Sequence, residues 1–408
     1  MNIGYYAHHH GSGHCRQADK LAGLLPKDCR HKLTVFTTVS AEQFSFSNLD
    51  EAQVVRLAPE EERDDDVLSG RPARQFLPDC LHYSPVGNRD IQQRSWQLLD
   101  GIRRFGIDLM IVDVSAEVAM LCRAVSIPYL YVRLAGSRDD APHLNAFAGA
   151  LGVLAPFPER LDSLQTRTWV RQKTRYLDFL TTPPAEPRLD SLITTLSKIA
   201  KTMALDDKTR QKIAQYQQEQ LNGIAFKAKK TVLITVIKGF GGHKSIDGKL
   251  PELRKLWSEA LIISLGPISD EARQYVDIAA TVDDVTPFLA FSDYLLMACG
   301  LNAIAQAYPF TTPLIALPDV RPHDEQEAMA AALIEQRSAM SWAQFLQYSM
   351  TLDSTLLPSA SKSPIDNQAA CELMTSLAAS SSVKSWFKNW LLPQLEVSPK
   401  PQSHHSQN

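Results

Sequence analysis

The sequence predicts an α/β protein built from two open, doubly wound parallel sheets, each wrapped by helices. Three observations carry that expectation. Short apolar runs alternate with helix-length segments, the pattern of parallel strands joined by crossover helices. A glycine-rich turn follows the opening strand of each half. Between the halves lies a stretch of different character, rich in Pro, Gln and Lys.

In the first half, strands are predicted at Ile3–Tyr6, Leu33–Thr37, Val54–Leu57, Leu109–Val112, Tyr129–Val132 and Val153–Ala155. In the second they are predicted at Thr231–Val236, Leu261–Leu265, Ala279–Val282, Tyr294–Met297, Leu314–Leu317 and Ala339–Trp342. Pro183-Pro184-Ala185-Glu186-Pro187 reads as a stiff connector. A helix from about Leu189 to Asn222 follows it, with Gly223 as its stop. The expected division is residues 1–180 for the first sheet domain, 181–226 for the connector and 227–356 for the second sheet domain. Residues 357–396 are expected to be helices packing back, with Trp386 and Trp390 on one helix face, and 397–408 a polar disordered tail.

A chain of 408 residues has room for two or three domains at roughly 100–200 residues each. With 44% hydrophobic and 21% charged residues it can build ordinary cores. A net charge of -3 supplies no overall pull toward nucleic acid. Two local basic groups stand out, Arg167/Arg171/Lys173/Arg175 and Lys227/Lys229/Lys230. Solvated faces are the plain reading of both, and a weak membrane-surface contact is the alternative. Six scattered cysteines show neither zinc nor redox spacing. The chain enters a strand at once without a signal-peptide pattern, and no run of about 18 apolar residues occurs. The expected location is a reducing cytoplasm, at most peripheral to the inner face of the membrane.

The first predicted strand runs into Ala7-His8-His9-His10-Gly11-Ser12-Gly13-His14 and then a helical pattern. Glycines here let backbone approach an anion at a helix N-terminus, so Gly11, Ser12 and Gly13 are a candidate phosphate or acceptor loop. A dinucleotide fingerprint would need a third glycine and an acidic residue closing the second strand. This chain has Cys15-Arg16 and Thr37-Thr38 instead, which argues against a nicotinamide or flavin dehydrogenase. Two roles are open to His14: proton removal from a hydroxyl, or a hydrogen bond within the turn. The His8–His10 run lacks ligands at metal spacing, and no metal site is expected.

The second half opens with Lys238-Gly239-Phe240-Gly241-Gly242-His243, again a place for N–H groups to meet phosphate. Further on, Gly300-Leu301-Asn302 opens a helix after a strand, and Gln306 lies within reach of a ribose hydroxyl. Asp324-Glu325-Gln326 follows the next strand, where doubly wound sheets place ligands. Ordinary N-terminal helix charge remains the other reading of Asp324 and Glu325. Asp64-Asp65-Asp66 reads as a solvated acidic run.

The Gly11–His14 turn, the Gly239–Gly242 turn and the series Gly300, Gln306, Pro318, Asp324–Gln326 resemble glycosyltransferases of the GT-B architecture, which implies two Rossmann-like domains facing each other across a cleft. The resemblance is greatest to family 28, which includes the bacterial enzyme that adds N-acetylglucosamine to the lipid-linked cell-wall precursor. UDP-glucuronosyl- and glucosyltransferases are more distant relatives. The resemblance implies transfer of a sugar from a nucleotide-sugar, UDP-linked, to an acceptor hydroxyl, with inversion and without a metal or other cofactor. It puts the donor on the second half, against Gly241, Gly242, Gly300, Leu301, Asn302, Gln306, Asp324, Glu325 and Gln326. His14 falls where such enzymes place a histidine beside the reacting groups. The first half would hold the acceptor (a glycan, a lipid-linked sugar or a small molecule), lined by Asp113, Ser115, Arg133, Arg138 and His143. Lys238 or Lys244 would add positive charge beside the diphosphate. Gln306 stands where many relatives carry a glutamate that grips the ribose. A nucleotide-sugar 2-epimerase, which shares this architecture, and a catalytically silent sugar-nucleotide-binding protein are the competing readings.

Overall fold

The structure is a computed structural model and describes residues 1–8, 12–60, 63, 66, 78–180, 186–223, 231–238 and 244–352. The predicted 183–187 stiffener (up to residue 185), Gly11, Gly239, Gly241, Gly242, Asp64, Asp65, Lys227/Lys229/Lys230 and the regions 357–396 and 397–408 lie outside these residues.

The first sheet contains β1 (Asn2–Ala7), β2 (Leu33–Thr37), β3 (Val54–Arg56), β4 (Ile107–Asp113), β5 (Tyr129–Val132), β6 (Gly152–Ala155) and β7 (Thr174–Tyr176). The second contains β8 (Leu233–Ile237), β9 (Leu261–Leu265), β10 (Ile278–Ala280), β11 (Tyr294–Met297), β12 (Leu314–Ala316) and β13 (Met340–Ser341). Every pairing is parallel, in the orders β3-β2-β1-β4-β5-β6-β7 and β10-β9-β8-β11-β12-β13. All twelve predicted strands are present within one or two residues at each end. β7 was not expected, because Thr-Arg-Tyr is too short and too polar to stand out from the helix before it.

Parallel sheets bury both faces, so their strands read as unbroken apolar runs whose alternate residues serve different cores. In β1 and β4, Ile3, Tyr5, Ala7, Leu109 and Ile111 pack beneath the Gly13–Leu24 helix with its Ala18, Leu21 and Ala22. Tyr6, Met110 and Val112 point the other way, toward Leu98 and Ile102 of the Arg89–Arg104 helix. Gly4 is required here, since a Cβ would lie 2.3 Å from Met110 Sδ and 3.0 Å from a Phe36 ring carbon.

The single predicted connector helix is two, Leu189–Thr202 and Asp207–Leu221. Asp206 causes the break by accepting the Thr209 amide as an N-cap at 2.6 Å. Gly223 ends the pair in a left-handed conformation. These helices are no free connector: Leu192, Leu196, Ile199, Ile213 and Tyr216 pack on Leu233, Leu261 and Ile263 of the second sheet.

The two halves meet through a continuous apolar cluster. Leu134, Phe157, Leu161 and Phe179 from the first half pack with Leu289, Met297, Leu301, Ile304, Met329 and Leu333 from the second. Among the described residues no helix is long and apolar enough to cross a membrane. In the first basic group, Arg167 pairs with Asp139, Arg171 donates to the Ser163 carbonyl at 2.8 Å and Lys173 to that of Ala148 at 3.0 Å. The five described cysteines are free thiols.

Candidate active site

The site sits where each sheet reverses strand order, between β1 and β4 in the first half and between β8 and β11 in the second. Crevices at the carboxyl ends of strands, at such switch points, are where open α/β sheets bind ligands. β1 delivers the chain into the first turn, and His14 is the second residue of the Gly13–Leu24 helix.

His14 Nδ1 lies 2.9 Å from Asp113 Oδ2, and Asp113 is the last residue of β4. Because β1 pairs directly with β4, residues 99 positions apart become neighbours. Tyr5, pointing along the same face, donates its hydroxyl to the same oxygen at 2.9 Å. Burial and the Asp113 charge push the Tyr5 phenol well above its ordinary pKa, so it stays a donor. Burial by itself would lower the His14 pKa, but the Asp113 charge and hydrogen bond, helped by Glu325, prevail and raise it; Arg138 opposes them. An Nδ1–H bonded to Asp113 leaves the lone pair of the neutral ring on Nε2, the form a proton acceptor needs.

Val114, directly after Asp113, holds φ at 54°. Such a conformation in a β-branched residue costs on the order of 1–3 kcal/mol and gathers at functional sites. Ser115 then caps the Ala116–Ala124 helix by accepting the Val118 amide at 3.2 Å. Ser115 and Asp113 thus each have a partner within the fold. Both are buried, the first as a helix cap and the second as the partner of His14. Arg133 departs from expectation. Its guanidinium is buried and forks onto Asp162, at 3.0 Å from Nη1 to Oδ1, with Phe157 and Tyr176 beside it. That pair fastens β5 to the loop after β6 and leaves no free edge for a ligand.

From the second half, the Leu301–Ala307 helix points its first turn at the first half. Asn302 Oδ1 accepts from Gln17 Nε2 at 2.9 Å and from Lys20 Nζ at 3.1 Å. Gly13 lies against the same side chain, its Cβ position 3.6 Å from Asn302 Nδ2. Asn302 is thus a bridge between the halves. Gly300 is the N-cap and leaves open space, since a Cβ there would meet only Gln326 Nε2 at 3.8 Å. Gln306 is exposed and donates to the Asn302 carbonyl at 3.2 Å. Gln326 is buried and its Oε1 accepts the Asp319 amide at 2.9 Å, so it shapes the loop after β12. Asp319, which the sequence did not single out, is also buried and accepts the Ser245 amide at 3.0 Å. Lys238 is a correction: it is buried in an ion pair with Asp247, so its charge is spent inside the fold. Lys244 is exposed at the start of the short helix that follows.

Asp324, at φ 53°, and His323, at φ 61°, are both left-handed and precede the Glu325–Glu335 helix. This turn is pressed onto the first half. The Ser137 amide donates to the His323 carbonyl at 2.7 Å. At Gly136, with φ 107°, a Cβ would sit 2.2 Å from that same carbonyl oxygen. Arg138 Nη2 approaches Glu325 Oε2 at 3.8 Å while its Nη1 lies 2.9 Å from His143 Nε2. Burial raises the Glu325 carboxyl, with Arg138 and His14 pulling it back down. His143 is buried and its Nδ1 meets Asp140 Oδ2 at 2.7 Å.

No protein-family model matches the chain, and no curated protein matches it. Solved structures do. The chain is similar to the spinosyn forosaminyltransferase SpnP, with a TM-score of 0.58 and 11% identity over 97% of this chain and 99% of that one. It is similar to a UDP-glucose:anthocyanidin 3-O-glucosyltransferase solved with UDP, with a TM-score of 0.56 and 10% identity over 97% and 99%. It is similar also to MurG of Acinetobacter baumannii, with a TM-score of 0.55 and 11% identity over 95% and 100%. The architecture is that of GT-B glycosyltransferases along nearly the full length of the chain.

Proposed function

We propose that the protein transfers a sugar from a nucleoside diphosphate donor to an acceptor hydroxyl. The observation that carries this reading is the His14–Asp113 pair at the switch point of the first sheet, opposite the Gly300–Asn302 turn at the switch point of the second. His14 Nε2 takes the proton of the acceptor hydroxyl as its oxygen bonds to the anomeric carbon. The carbon–oxygen bond to the diphosphate breaks in the same displacement, so configuration inverts. Asp113 holds the ring in the productive tautomer and stabilises the imidazolium that forms. The departing diphosphate gathers its negative charge near the Leu301 and Asn302 N–H groups after Gly300 and near Lys244. Glu325, beside Arg138, accepts from hydroxyls of the donor sugar in this reading.

Among the similar structures, the anthocyanidin glucosyltransferase holds UDP and a spinosyn rhamnosyltransferase holds thymidine diphosphate. We favour UDP as the base carrier, with the acceptor on the first half. The test is a thermal-shift screen of UDP, thymidine diphosphate and their sugars, followed by a transfer assay with each stabilising donor. A ligand that binds only the folded protein raises Tm with concentration. Release of UDP that depends on an added acceptor supports transfer. Conversion of UDP-N-acetylglucosamine with no acceptor present would replace it with epimerisation.

A further inference from the structure

Three histidines outside the reacting pair converge where the two halves touch. His82 comes from the loop before the Arg89–Arg104 helix, His143 from the first turn of the Ala141–Gly149 helix, and His323 from the left-handed turn of the second half. Their ring centroids are 4.4, 4.6 and 5.3 Å apart, and each ring offers one nitrogen such that all three lie within 4.8 Å of one another. Asp140 stands among them, 3.0 Å from His82 Nε2, 2.7 Å from His143 Nδ1 and 3.7 Å from His323 Nδ1.

We propose that His82, His143 and His323 bind one divalent transition-metal ion of the zinc class, with Asp140 as the carboxylate that orients the imidazoles. Imidazole nitrogen suits zinc, cobalt and nickel, and three protein ligands leave a fourth position for water. A carboxylate bonded to the far nitrogen of a ligating histidine is the usual outer support of such sites. The backbone is already fixed on both sides, by the Ser137–His323 hydrogen bond and the close approach at Gly136. The His82 and His323 side chains are 30% and 31% exposed, which gives an ion a way in. At a zinc–nitrogen distance of about 2.0 Å, ligand nitrogens in a tetrahedron lie roughly 3.3 Å apart, so the rings must draw together. Arg138 must also leave His143 Nε2, and Glu325, 3.8 Å from Nη2, is its ready alternative. The ion would therefore clamp the first half to the second. This inference is independent of the glycosyl-transfer reading.

The experiment uses the full chain, stripped with a chelator and titrated with Zn2+ against a chromophoric competitor. One Zn2+ per chain is expected, with Co2+ giving the intense visible bands of a four-coordinate site. His82→Ala and His323→Ala should each weaken binding by about tenfold or more, at an unchanged metal-free melting curve. His82→Gln, which keeps a polar side chain of similar bulk, guards against loss of fold in the alanine variant. A chain with His8, His9 and His10 replaced by alanine should bind as the parent does. No stoichiometric binding, or equal binding by the parent and the His82 and His323 variants, would overturn the proposal. The histidines would then be a hydrogen-bonded cluster around Asp140 only.

Discussion

The two halves repeat one strand order, the first with an additional edge strand, yet the same point in each is equipped for opposite work. At the end of β4 the first half has Asp113, with His14 across from it on the helix after β1. At the end of β11 the second half has Ala298, Cys299 and Gly300, with no ionisable side chain other than a buried thiol pushed up to about 12 by desolvation. Topology supplies a crevice twice. The residue that closes the fourth strand in sheet-building order decides whether that crevice can hold a proton or must remain small enough for an anion to approach backbone.

The sharpest way to break this comparison is His14→Ala. Loss of the base should reduce turnover by about 10²–10⁴-fold while donor-induced stabilisation persists. Unchanged biological activity would instead favour a protein that only binds. Arg133→Ala tests whether every polar residue at a strand end of the first half serves chemistry. Removing the nearest cation from buried Asp162, which keeps the Tyr176 hydroxyl at 2.7 Å and Arg171 at 3.8 Å, should cost about 3 kcal/mol in denaturant unfolding. The molecules that remain folded should keep their specific activity.

Asp113→Asn should lower turnover by on the order of 10²-fold or more, and it should move the pH profile. In the parent, Asp113 raises the His14 pKa, so activity climbs as pH rises and the imidazole loses its proton. With the charge gone, burial prevails and the acid limb shifts to lower pH. A limb that stays in place would detach Asp113 from His14. In the second half, Gly300→Ala is sterically ordinary, so it should fold and raise the donor KM about tenfold, equivalent to ~1.4 kcal/mol, with kcat little changed. The smallest effect is expected for Asn302→Ala, which removes the acceptor shared by Gln17 and Lys20 and should cost about 1 kcal/mol.

The sheets were legible because buried parallel strands leave continuous apolar runs, and Leu33–Thr37, Tyr129–Val132, Leu261–Leu265 and Tyr294–Met297 appear with the bounds that the runs suggested. The Asp206 cap, an Asp three residues before Thr209, was hidden inside a long amphipathic pattern that read as one helix. What could not be read was partnership. Asp113 was visible as a strand-end carboxylate, yet only the β1–β4 pairing makes it the companion of His14. Arg133 had the look of a ligand residue until the fold brought Asp162 to it. His82, His143 and His323 are spread over both halves, with no spacing that betrays a common centre.

The apolar contact around Phe157, Phe179, Leu301 and Ile304 makes the joint between the halves uneven from one side to the other. Parting it would wet a large greasy surface, whereas the polar side, held by Asn302 and the His323 turn, exchanges its bonds for water at small cost. If the halves part, separating the polar side therefore costs less than separating the apolar one.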